Sequence, residues 1–351
     1  MSIAQDADEP VMSQQSDAVR ALAAVLARSV GIELVSEANR QQHVSASILT
    51  ATAIRHRVVG LIASANNADL LQPAAIDSLT KAYRTQKMRQ MAQSASLIRI
   101  LTACESAQIP VLLIKGQASS HVLYGDWGVR GVAADADVLI PPSAIRKAHH
   151  LMLDLGYDCR HDQGHMAPVF GYPGTYNRWL HYERRYSSPL HMGVDVHWRP
   201  VAGSALWTGF NHLWENRQSI SLHGHSVATT GAEDTLRIAA GQGELDGWPT
   251  LRAAIDMLAA SELVPPVRLR QMSNAEPLVG VARRHALEVL KHGNPAWEAG
   301  VSHKQIEAWK RQWQVRRWTD FPAQAALRSV LGKWLPARRL TPLEPAHNEM
   351  T

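Results

Sequence analysis

The chain has 351 residues, 46% of them apolar and 19% charged, which is enough to bury a substantial core and excludes a disordered polymer. Its two cysteines, Cys104 and Cys159, exclude a disulfide framework, and no apolar run approaches the ~20 residues that a membrane-spanning helix needs. A formal charge of +5 suits an anionic substrate, but no stripe of Lys and Arg interleaved with aromatics accompanies it, so nucleic acid is not expected as a partner.

Residues 1–15 are polar and aperiodic and read as a disordered tail; Asp6, Asp8 and Glu9 stand where a secretory signal would carry bases, which predicts a cytoplasmic protein with no membrane partner. A helical region follows over 16–108. Ser16 and Asp17 offer caps ahead of Val19, Leu22, Val25 and Leu26; a second helical stretch covers 45–63; and a long helix runs from Pro73 to Gln108 on an apolar stripe that includes Leu79, Tyr83, Met88 and Leu101. At Pro110 the pattern changes to a short strand, Val111-Leu-Leu-Ile114, which ends at Lys115-Gly116. Gly116 permits a tight turn, and a helix from Gln117 to Tyr124 would then present its first N–H groups to an anion. After a turn at Gly125-Asp126-Trp127-Gly128, Arg130 leads into Asp135-Ala-Asp137-Val-Leu-Ile140.

On a strand of period two, Asp135 and Asp137 project from one face while Ala136 and Val138 turn to the other. Adjacent acids repel, and a divalent cation relieves that repulsion; Mg²⁺ is commonly held by one or two carboxylates plus substrate phosphates. A helix is expected over 141–155, stopped by Gly156, and hairpins and loops over 157–190. A second strand, Gly193-Val-Asp195-Val-His197-Trp198, places Asp195 and His197 on one face and Val194, Val196 and Trp198 on the other. Helices resume over 231–335, notably at 231–240, 250–260 and 278–290, and a Pro-rich, charged segment at 336–351 reads as a loose tail. His161, His165, His181 and His191 do not amount to a zinc site, because no cysteine accompanies them and the segment is irregular.

The combination of Lys115-Gly116, Arg130, Asp135-Ala-Asp137 and Val194-Asp195-Val-His197-Trp198 resembles a bacterial family of nucleotidyltransferases within the polymerase-β-like superfamily. Arg55-His56-Arg57-Val58-Val59 is similar to a His-Arg-Val element of that family's N-terminal helices, and Ala232 to Asp256 resembles its C-terminal helical region. The resemblance implies an α+β fold, with a small mixed sheet at 109–230 embedded between the helical regions. It also implies a Mg²⁺- (or Mn²⁺-) dependent, two-metal enzyme that moves a nucleoside monophosphate from an NTP such as ATP to a hydroxyl of a peptide, protein, sugar or small molecule. On this reading Asp135, Asp137 and Asp195 are catalytic and hold metal, and Lys115, Gly116, Gln117, Arg130 and His197 bind the nucleotide or orient the acceptor. The sequence departs from the family at Gly116-Gln117, where a Gly-Ser or Gly-Gly pair is usual, and in 241–248, which lacks the expected histidines. These departures keep open a second reading, a non-catalytic nucleotide- or protein-binding member. For single residues plainer roles also stand: Lys115 covering a strand end, Arg130 pairing with Asp126, and His197 as a satisfied core histidine.

Overall fold

The computed structural model describes residues 9–32, 44–65, 70–131, 135–159, 183–201 and 209–293. Expectations for 1–8, for the acid-preceding Val132-Ala-Ala134, for His161, His165 and His181, and for 294–351 lie outside them. Helix α1 (Glu9–Ser29) starts ahead of the Ser16–Asp17 pair, so part of the stretch read as a tail is helical. The 45–63 segment is two helices, α2 (Ala46–Arg55) and α3 (Val59–Ser64), broken at His56-Arg57-Val58, where Arg57 takes φ 57°. Ser45 caps α2 by accepting from the Ile48 N–H. The long helix α4 (Pro73–Ser106) has Pro at its first turn.

Strand β1 (Leu112–Ile114) leads to α5 (Gly116–Tyr124), which Gly125 ends in the left-handed conformation at φ 71°. Strand β2 (Asp135–Leu139), a short 3₁₀ turn, α6 (Ile145–Asp154) and β3 (Asp158–Cys159) follow, then β4 (Glu183–Ser187) and β5 (Gly193–His197). Three elements had no clear signal in the sequence: α7 (Phe210–Glu215) and the hairpin β6 (Gln218–Leu222) and β7 (His225–Thr229). The chain closes with α8 (Ala232–Asp246), α9 (Leu251–Glu262), α10 (Pro266–Ala275) and α11 (Pro277–His292).

The strands form one mixed sheet in the order β3-β4-β5-β2-β1-β7-β6. Strands β2 and β5 are parallel neighbours, with Asp137 opposite Asp195, and β4 pairs antiparallel with β5, with Arg185 opposite Asp195 and Glu183 opposite His197. The period of two sorts the two faces. Leu113, Ala136, Val138, Tyr186, Val194 and Val196 pack with Leu97, Ile100, Ile145 and Met152 of α4 and α6 into one core. The other face carries Asp135, Asp137, Asp195, His197, Glu183 and Arg185, with Leu112, Ile114 and Leu139 against Phe210 and Leu213 of α7. A separate helical core joins α1–α3 and the start of α4 to α8–α11. Among the described residues no helix is long and apolar enough to cross a membrane.

Candidate active site

The site begins where β1 ends. Lys115 takes φ 52° and Gly116 φ 38°, and a left-handed backbone costs a side-chain-bearing residue on the order of 1 kcal/mol, so the surrounding packing imposes this turn. It brings Lys115 Nζ to 3.9 Å from Asp137 Oδ1. Gln117 turns inward instead: only 5% exposed, it accepts from Ser94 Oγ at 3.3 Å and braces α5 against α4. Ser120 Oγ accepts from the Arg130 N–H and donates to the Asp126 carbonyl, closing the loop between them.

On the polar face of the sheet, His197 is fully buried between two carboxylates, with Nε2 2.9 Å from Asp137 Oδ1 and Nδ1 3.3 Å from Glu183 Oε2. It therefore orients Asp137 rather than its strand-mate Asp195. Asp195 receives a bidentate pair from Arg185, Nε to Oδ1 at 2.9 Å and Nη2 to Oδ2 at 3.0 Å, and the same guanidinium lies 3.9 Å from Asp135 Oδ2. Burial pushes the Asp135 carboxyl up to about 6, reinforced by the charges of Asp195 and Asp137 and only partly relieved by Arg185. Burial acts upward on Asp137 too, but the His197 hydrogen bond and the Lys115 charge outweigh it and hold that carboxyl below its ordinary value. Glu183 is raised by burial against the opposing pull of His197.

Among the described residues no three His, Cys, Asp or Glu side chains form a ready metal cage. The donors nonetheless suit a hard cation: they are all carboxylate oxygens, and Asp135 carries charge that its neighbours leave undercompensated.

Arg130, expected at the phosphates, is instead a brace. Its Nε and Nη2 donate to Asp256 of α9 at 2.5–3.0 Å, and its Nη1 donates to the Gly116 carbonyl at 2.7 Å. Tyr124 OH completes the cluster at 2.8 Å from Asp256 Oδ1, while Asp126 pairs with Lys87. The turn at Gly116 is thus tied to the C-terminal helices.

These groups open onto one cavity of about 560 Å³ between the sheet and α8–α9. Lys115, Gly116, Arg130, Asp135, Asp137 and Asp195 line it; Gln117 and His197 do not. Glu183, Arg185, Arg252, Asp256 and Arg57 also line it, and the sequence reading assigned none of them to the site. The alternation Glu183-Arg-Arg185 was the one local signal for the first two, hidden in a segment without clear periodicity.

Over residues 42–270 the chain matches the family described as "Uncharacterised nucleotidyltransferase". The chain belongs to that family. No curated protein matches the chain. Among solved structures it is similar to a solution structure of the antibiotic-resistance factor ANT(2'')-Ia, at 12% identity over 70% of this chain and 99% of that one, with a TM-score of 0.34. It is also similar to a crystal structure of ANT(2'')-Ia in complex with adenylyl-2''-tobramycin, at 13% identity over 64% and 98%, with a TM-score of 0.30. Scores this low carry no argument about fold or substrate, and the family match alone makes the assignment.

Proposed function

We propose that the protein transfers a nucleoside monophosphate from an NTP to a hydroxyl-bearing acceptor, using a polymerase-β-like core and Mg²⁺ (or Mn²⁺). The observation that carries this reading is the convergence of Asp135, Asp137 and Asp195 with the Lys115-Gly116 turn on one cavity. Asp135 and Asp137 would hold the metal, with Asp195 completing the set. The bound ion would supply charge neutralisation at the phosphates and acidify the attacking hydroxyl. Lys115 and the turn's backbone N–H groups receive phosphate oxygens, which fixed donors do without reorganising. Arg130 keeps the turn at its place by holding the Gly116 carbonyl, and Gln117 supports it from behind. His197 fixes the Asp137 carboxylate through one nitrogen while Glu183 faces the other. Asp195, oriented by Arg185, accepts the hydroxyl proton as the acceptor oxygen bonds to the α-phosphorus and pyrophosphate leaves.

The test is incubation with labelled NTPs, Mg²⁺ and hydroxyl-bearing small molecules. Wild type should release pyrophosphate and form a nucleotidylated product, and Asp137→Ala should lower turnover by at least about 10³-fold, in line with loss of a main electrostatic group. A wild type that turns over no NTP would end the transferase reading. The clamp of Arg185 on Asp195 favours one competing reading, a nucleotide-binding member without catalysis, which would bind NTP while releasing no pyrophosphate.

A further inference from the structure

The charges on the helical wall of the cavity do not balance. Asp256 accepts from Tyr124 and, through both oxygens, from Arg130, so its negative charge is committed. Arg252, one turn earlier on α9, has its Nε 4.0 Å from Asp256 Oδ2, beyond hydrogen-bonding distance, and this Nε is buried with no hydrogen-bond partner among the described residues. The side chain is 21% exposed and lines the cavity. Two guanidinium groups thus share one carboxylate.

Arg57 adds a further positive charge. It sits in the break between α2 and α3 at φ 57°, lines the same cavity, and makes no ion pair with any described residue. Its position beside α9 is held by the preceding residue: His56, 1% exposed, accepts the Leu251 N–H on Nδ1 at 3.3 Å, across 195 positions of sequence. The Gly131 backbone packs on Arg57, so Arg130 and Arg57 are neighbours as well. Burial, then repulsion from Arg130, lowers the Arg252 guanidinium to about 10; the Asp256 charge opposes this and Arg57 adds to it. A cation that shares its one near carboxylate with a second guanidinium has room for a further anion.

We propose that Arg57 and Arg252 form an anion subsite on the helical wall of the cavity, which takes the terminal phosphates of a nucleoside triphosphate, the part that leaves as pyrophosphate. This deepens the transferase reading and rests on it for the identity of the ligand. Planar guanidinium groups suit phosphate oxygens. The helical side of the cavity carries Arg57 and Arg252 beside Asp246 and an Asp256 already committed to Arg130, and the sheet carries the three metal-suited carboxylates beside Arg185 and Lys115.

The experiment is isothermal titration of the full chain with inorganic tripolyphosphate in the presence of chelator. Wild type should bind, and Arg57→Ala and Arg252→Gln should each weaken binding about tenfold, the loss expected for one charge-assisted contact, with Arg252→Lys recovering part of it. Absence of binding by wild type, or wild-type affinity in a folded Arg252→Gln, overturns the subsite. If Arg252→Gln does not fold, Arg57→Ala decides alone, since Arg57 is exposed. Arginine-dependent tripolyphosphate binding without any nucleotidyl transfer would remove the transferase reading and leave the subsite standing.

Discussion

The Asp135 carboxylate is left undercompensated by its surroundings, and its stability signature has a definite sign. Its folded carboxyl, at about 6, lies above the ordinary 3.8, so folding favours the protonated form. In chelator, the contribution is therefore harmless below about pH 4 and becomes a penalty as pH rises to about 6 and beyond. Because the side chain is 32% exposed, screening reduces the penalty to on the order of 1 kcal/mol. Asp135→Asn should raise the neutral-pH melting temperature of the metal-free protein and flatten that part of its pH profile, while abolishing transfer. Asp256 should behave oppositely. Its replacement by Ala strands the buried Arg130 and Arg252 and should cost about 3–5 kcal/mol in denaturant unfolding. Replacing both charges by apolar groups, Arg130→Met with Asp256→Leu, should recover part of that loss.

At the scale of elements, the packing of α8 depends on a residue too small to notice in the sequence. A Cβ on Gly243 would overlap the ring of Trp248, which is fully buried and held at φ 55° just beyond the helix end. Gly243→Ala should therefore destabilise the protein by about 1–3 kcal/mol, as overpacking does, and differential scanning calorimetry would register the drop. How much could be read in advance differs between elements. The faces of β2 and β5 were legible because period two is local: each apolar residue between the acids announces the direction of its neighbours. Helix α9 was legible through its apolar spacing, and α2 only as part of a longer helical stretch. Helix α7 and the β6–β7 hairpin were not, since their segments carry little periodic contrast. The pairings Arg130–Asp256 and Arg185–Asp195, and the meeting of Arg57 with Arg252, are products of tertiary assembly with no local trace, so Arg130 was read as a phosphate ligand when its partner stands 126 positions away.

At the scale of the molecule, the cavity lies between a sheet bearing Asp135, Asp137 and Asp195 and a helical body bearing Arg57 and Arg252, so a cation and a polyanion bound together should bridge them. Mg²⁺ and an NTP together should raise the melting temperature by more than the sum of either alone, approaching about 2.7 kcal/mol of added stability at a hundredfold excess over Kd. Thermal shift measurements with each component, and with both, check this; simple additivity would indicate that the two walls bind independently.

The joint at His56 has a further consequence for anyone who trims the chain. The first hundred residues contribute no carboxylate to the sheet and look dispensable beside it, yet the imidazole buried against Leu251 makes them half of the basic wall. A fragment begun at β1 would keep every acid and lose the clasp, leaving a chelator without a grip on polyanions.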